Sequence, residues 1–305
     1  MFAVKHISNK NPLLNHIHVF NEVISCRICP NLGASIQELS FNNIDVINGI
    51  YFSDDGLESY TKAYQSAILF PFVGRIPNGE YNYNSKIYKL ETNEENCTNA
   101  LHGLVYNKHF ILDHCETSSL ETNIQLSYNS DGSLKGFPFK FKFQVNYLIT
   151  ERGITINFNI INQDSSSFPF GCGWHPYFKS NNLASSSLSF TSKEKLVCNK
   201  DLIPIGITSN KESSTFKVKN KKFDDTFILL KNEINFETNN YQLHMTFNET
   251  KNNFLQVYTP IHRKSIALEP VTCTPNAFNN KNGLLELKPN EHFSWSINLK
   301  IKTYE

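Results

Sequence analysis

Between residues 137 and 162 the chain alternates apolar and polar side chains with a two-residue period. Phe139, Phe141, Phe143, Val145 and Tyr147 fall on one strand face, Ile154, Ile156, Phe158 and Ile160 on another, and Arg152-Gly153 turns between the runs. A two-residue period belongs to a strand with one buried face, because a helix would scatter the same positions around its circumference. The pattern returns at Tyr241, Leu243, Met245 and Phe247, and again at Phe293, Trp295, Ile297 and Leu299. Across residues 19–50, short apolar runs broken by Pro30, Gly33 and Asn42-Asn43 predict strands joined by tight turns. Residues 51–65 are polar and aromatic without strong periodicity, which predicts a connecting loop with at most one helical turn. No long amphipathic helical stretch, no strand-helix alternation and no linker interrupts the series. The expected fold is therefore all-β, one large antiparallel domain over residues 1–305.

Charge narrows the partners. The chain carries 29 basic and 28 acidic residues, a net of +1, and most of the basic residues are lysines spread singly. That is the footprint of neither a nucleic-acid-binding nor an anionic-membrane protein. The N-terminal residues lack the apolar run of a signal peptide, and no segment approaches the roughly 20 apolar residues of a membrane span. A soluble, cytoplasmic protein is expected. Of the seven cysteines, Cys26 and Cys29 form a C-x-x-C pair, but it lies in a strand-like run without a second pair or a histidine cluster. The pair reads as two reduced thiols rather than a zinc or redox site.

Five segments carry side chains that suit chemistry. Residues 171–178, Gly-Cys-Gly-Trp-His-Pro-Tyr-Phe, set His175 among aromatic rings, with glycines that admit a close approach and a proline that fixes direction. Trp174 and Tyr177 offer flat faces with polar edges, a setting that suits a sugar as well as a buried, hydrogen-bonded structural histidine. Only four arginines occur, and Arg75 sits among glycine, proline and apolar residues, where it either clamps a ligand's hydroxyls or pairs with a buried carboxylate. His102 precedes Gly103 and, taken alone, reads as structural. Asp224 and Asp225 enter an aromatic frame in Phe-Asp-Asp-Thr-Phe, which by itself reads as a turn or a solvated edge. Residues 185–187 and 217–222 are the most polar interruptions and predict solvated loops or edges. Glu269 ends an apolar run immediately before Pro270, and a carboxylate carried there is either paired or chemically active.

In order along the chain these pieces are Gly74-Arg-Ile-Pro-Asn-Gly-Glu-Tyr81, Leu101-His-Gly103, Trp174-His-Pro-Tyr-Phe178, Phe223-Asp-Asp-Thr-Phe227 and Leu268-Glu-Pro270. Together they resemble the aldose 1-epimerase (galactose mutarotase) family, whose first strands also fit the opening Cys29-Pro-Asn-Leu-Gly-Ala34. The resemblance implies a large β-sandwich of the mutarotase type with a sugar cleft on a concave sheet face and no cofactor. It implies Glu269 as general base and His175 as general acid, with Arg75, His102 and Asp224 binding the sugar and Trp174 or Tyr177 stacking on it or walling the cleft. Gly74 departs from the asparagine many members carry before the arginine, removing one expected hydroxyl contact. Asp225 falls where many members have histidine. The wording around His175 is closer to the broad mutarotase-related group than to galactose-specific enzymes.

On this reading the protein interconverts the α and β anomers of a free aldohexose as a monomer or homodimer. Acid and base would stand on opposite sides of the anomeric centre, the histidine kept protonated by the nearby carboxylate and the glutamate partly desolvated. Three other readings fit parts of the pattern: a hexose-6-phosphate 1-epimerase using lysines such as Lys62, Lys108 or Lys179, a catalytically inactive carbohydrate-binding protein, and a glycosidase using Glu269 with Asp224. The last leaves the histidines unexplained.

Overall fold

The structure, a computed structural model, describes residues 1–212, 214–250 and 253–304. Its largest sheet has 15 strands. Lys140–Thr150 and Gly153–Asn162 form a hairpin within it, in which Val145 lies opposite Phe158 and Tyr147 opposite Ile156. The alternation does what its period requires: Phe141, Phe143, Val145 and Tyr147 are buried while Lys142, Gln144 and Asn146 are partly open. From this hairpin the sheet continues through His292–Thr303, Tyr241–Phe247, Asp224–Glu237 and Phe254–Tyr258 to Ser265–Val271, Gly173–His175 and Ala67–Leu69. A second, five-stranded sheet is built from residues 3–45. Its Ile24, Cys26 and Ile28 share one apolar core with the inward face of the large sheet, and the Tyr147 hydroxyl donates across to the Ala34 carbonyl at 2.5 Å. The described strand pairings are antiparallel, including the hairpin pairings of both sheets. The layered, antiparallel all-β architecture is the expected one.

Two expectations need correction. Residues 51–65 are not chiefly loop: Asp54–Ala63 is a ten-residue helix. Ser53 caps it by accepting from the Gly56 N–H at 3.3 Å, Asp54 and Asp55 favour its N-terminus and Lys62 its last turn. Gly56 and Tyr60 are its buried residues, so no apolar stripe marked it in the sequence. The serine-rich stretch is likewise not simply solvated. Ser186 is buried with its hydroxyl 2.8 Å from that of Ser180, and Ser187 opens the strand Ser187–Cys198, which pairs with Asp224–Glu237.

Cys26 and Cys29 are fully buried free thiols on the strand Ile24–Cys29, and burial pushes both well up, so they stay protonated. No helix among the described residues is long and apolar enough to cross a membrane.

Candidate active site

The strands Asp224–Glu237, Phe254–Tyr258 and Ser265–Val271 lie side by side, and their register makes a floor from residues distant in sequence. Glu269 lies opposite Gln256, and Gln256 opposite Thr226; one step along, Asp224 lies opposite Tyr258. Because side chains two apart on a strand share a face, Glu269, Gln256, Thr226, Tyr258 and Asp224 all line one cleft of about 680 Å³. Arg75, His102, His175 and Tyr177 line the same cleft. Six of the seven residues singled out from the sequence thus converge.

Trp174 is placed elsewhere. It precedes His175 on the strand Gly173–His175, so the pleat turns it to the opposite face. There it is 1% exposed, packs at 88° on Phe178 and donates its indole N–H to the Ser66 hydroxyl at 3.0 Å. Tyr177 borders the cleft, with its hydroxyl donating to the Ala63 carbonyl at 3.0 Å and its ring stacked 5.0 Å from that of His175.

Backbone constraints hold the two histidines. Gly173 lies opposite both Val271 and Leu69, and a Cβ on it would stand 2.6 Å from Val271 Cγ1, so only glycine lets this strand lie so close to the one carrying Glu269. The short pair Arg75–Ile76 and Ala100–Leu101 puts Leu101 opposite Arg75, and the His102 N–H donates to the Gly74 carbonyl at 2.9 Å. The chain then leaves through Gly103 at φ +82, where a Cβ would meet the Phe70 carbonyl oxygen at 2.3 Å. Gly103→Ala is accordingly expected to cost about 1–3 kcal/mol of stability, measurable as a lower urea midpoint, and to displace His102. An unchanged midpoint would mean that the loop relaxes freely.

At the cleft floor His175 Nε2 stands 3.4 Å from Glu269 Oε1. Both are almost wholly withdrawn from water, 5% and 3% exposed. They sit side by side on one wall rather than on opposite sides of the cleft. The His102 ring meets that of His175 edge-on at 5.0 Å, and Tyr64 borders His102 at 4.7 Å. Both Nδ1 atoms, of His102 and of His175, are buried without a hydrogen-bond partner in the structure.

Burial sets the protonation. It pushes the Glu269 carboxyl well above the usual carboxylate range, a shift that Asp224 reinforces and Arg75 opposes. The same desolvation pulls His175 from 6.5 down to about 3 and takes His102 well below its ordinary value, with His175 and Arg75 adding to the latter. The glutamate is desolvated as expected, but the imidazolium is not favoured: burial favours the neutral imidazole and the protonated carboxyl. Desolvation penalises both charged forms and is the largest cause of each shift.

The His175 shift has a sign that stability reports. Its folded value lies below that of the unfolded chain, so the unfolded state binds the proton first as pH falls. Stability held above pH 6.5 is therefore lost between 6.5 and about 3. Thermal melts should show the wild type losing Tm across that window and His175→Asn losing less of it; parallel losses would assign acid sensitivity to other groups.

Several residues at the site had no sequence signal. Gln256 Nε2 donates to Asp224 Oδ1 at 2.8 Å, and the Thr226 hydroxyl donates to Gln256 Oε1 at 2.5 Å, so a three-residue chain fixes the aspartate. Asp225 turns away and pairs with Lys195 at 2.5 Å. Arg75 meets Glu94, its Nε and Nη2 each 2.7 Å from Glu94 Oε1. Thus Arg75 both lines the cleft and pairs with a partly buried carboxylate. Gly74 also borders the cleft, without a side chain to offer. Among the described residues no three His, Cys, Asp or Glu side chains are grouped to hold a metal ion.

Comparison with known proteins bears on this arrangement. The aldose 1-epimerase family model matches residues 24–300. The Escherichia coli K12 protein YihR, itself uncharacterised, is 26% identical over 280 residues, 84% of each chain. Among solved structures, a galactose mutarotase-like protein from Clostridium acetobutylicum superposes with a TM-score of 0.88 at 17% identity, covering 99% of both chains. The galactose 1-epimerase of Lactobacillus acidophilus gives 0.79 at 16% identity over 100% of this chain and 99% of its own. At such identities the structural likeness speaks to the fold alone.

Proposed function

Since this chain belongs to the aldose 1-epimerase family, we propose that it interconverts the anomers of a free aldohexose, with Glu269 and His175 moving the protons. The observation that carries the reading is the 3.4 Å approach of His175 Nε2 to Glu269 Oε1 at the buried floor of the cleft. A site that only bound sugar would have no use for an acid and a base held together out of water, because such groups are costly to bury.

In the reaction the Glu269 carboxylate takes the proton of the C1 hydroxyl, and the C1=O bond forms as the bond from C1 to the ring oxygen breaks. The His175 imidazolium gives its proton to that ring oxygen. After rotation about C1–C2 the steps reverse: neutral imidazole takes the hydroxyl proton, the ring closes on the other face and Glu269 returns a proton to O1. The two oxygens share one carbon, so an acid and a base side by side on one wall can reach both. Each transfer contributes on the order of 10²–10⁴ in rate.

Burial favours a pair that holds one proton, with the carboxyl protonated and the imidazole neutral. The reactive carboxylate and imidazolium hold the same number, so the sugar need only shift the proton across, and hydrogen bonds from its hydroxyls favour the charged forms. Arg75, His102 and the Asp224–Gln256 pair surround this floor with donors and acceptors for the ring hydroxyls.

Polarimetry, or NMR saturation transfer, on freshly dissolved α-glucose and α-galactose tests the reading. Equilibration well above the spontaneous rate supports it; rates indistinguishable from buffer with both sugars would overturn it.

A further inference from the structure

We propose that Glu94 sets the charge specificity of the cleft: by pairing with Arg75 it compensates the partly buried cation of the cleft lining and so confines the site to uncharged sugars. The inference rests on the reading of the cleft as a sugar site.

Among the described residues, the lysines and arginines that line the cleft are Arg75 and Lys62. Lys62 lies on the helix Asp54–Ala63 and is already 2.7 Å from Glu58 one turn back. Arg75 directs Nε and Nη2 at one oxygen of Glu94, with the two side chains only 21% and 14% exposed. The pair is screened far less than a surface pair.

Glu94 does not depend on Arg75 for its orientation. Its other oxygen accepts from the buried Asn99 amide at 2.7 Å, and its backbone N–H reaches the Asn99 carbonyl at 3.4 Å. Glu94 is not itself among the residues lining the cleft. It therefore takes up positive charge without occupying space that a sugar needs. On the open side lies Asp224, which accepts a hydrogen bond from Gln256 and has no ion-pair partner among the described residues. An incoming carboxylate or phosphate would meet an arginine already paired with Glu94 beside the Asp224 carboxylate, whereas a hydroxyl can still accept from the guanidinium and donate to the aspartate.

Had Glu94 only a steric task, any side chain of its shape would serve. If its charge is what matters, Glu94→Gln should admit an anionic sugar and Glu94→Asp should not. The probe is sodium D-glucuronate, titrated by calorimetry into wild type and both variants, with α-glucose mutarotation measured alongside. The expected result is glucuronate binding at least about tenfold tighter in Glu94→Gln than in wild type, with exclusion retained in Glu94→Asp. Equal glucuronate affinity in wild type and a folded Glu94→Gln would overturn the proposal. If Glu94→Gln does not fold, the wild type decides: glucuronate bound as tightly as glucose overturns the proposal, and glucuronate at least about tenfold weaker supports it. A wild type that turns over neither glucose nor galactose, with the glucuronate contrast intact, would sink the epimerase reading and leave the role of Glu94 standing.

Discussion

Replacing Glu269 with glutamine is expected to slow α-glucose mutarotation by about 10²–10⁴-fold while leaving sugar binding detectable by NMR. Glutamine keeps the shape and can still accept a hydrogen bond, but its amide cannot take up the C1 hydroxyl proton. The same change should alter the pH dependence of stability in a direction fixed by burial. The folded Glu269 carboxyl titrates above its unfolded value because of desolvation, so the stability it contributes is full below the unfolded value near 4.5 and is lost as pH rises through the folded one. Glu269→Gln should therefore hold its Tm toward alkaline pH better than the wild type does. Normal polarimetric rates in a folded Glu269→Gln protein would end its assignment as the base.

His175→Asn is the second large effect, again about 10²–10⁴-fold in turnover, with a stability loss at pH 7 of about 1 kcal/mol. The small stability change follows from the environment of the ring. His175 Nδ1 has no hydrogen-bond partner and Nε2 only approaches Glu269, so asparagine breaks no established hydrogen bond of the ring. The ring stacks on Tyr177 and faces the cleft, so the space left behind joins an existing volume rather than making a sealed cavity. A variant that melts far below the wild type, with turnover tracking its folded fraction, would make His175 a packing residue instead.

Arg75 and Glu94 show where reading the chain as a sequence stops. Arg75 was conspicuous because an arginine is rare here and lies among glycine and proline, while Glu94 sits in the polar run Glu-Thr-Asn-Glu-Glu-Asn of residues 91–96 and looks like any solvated carboxylate. Only the folded chain brings the two within 2.7 Å. The helix Asp54–Ala63 was missed for a related reason: its caps and end charges were present, but a mostly exposed helix buries too few side chains to leave an apolar period. Trp174 shows the opposite failure. A tryptophan beside His175 invites a stacking role, yet alternation along a strand places neighbours on opposite faces, and here that alternation sends Trp174 to the core.

By itself the sequence determined the all-β architecture, because a two-residue apolar period is a local property that survives without knowledge of partners, and Phe141 to Tyr147 bury on the expected face. It also marked Arg75, His102, His175, Tyr177, Asp224 and Glu269 as the unusual polar and aromatic residues of the chain. Tertiary structure alone decided that these six share one cleft, because strand register joins Glu269 to Gln256 and Asp224 to Tyr258 across gaps no local pattern spans. It alone decided the direction in which each member of the pair is shifted as well. Desolvation depends on everything packed around a group, and at 5% and 3% exposure it disfavours the charged form of each, pulling His175 down and pushing Glu269 up.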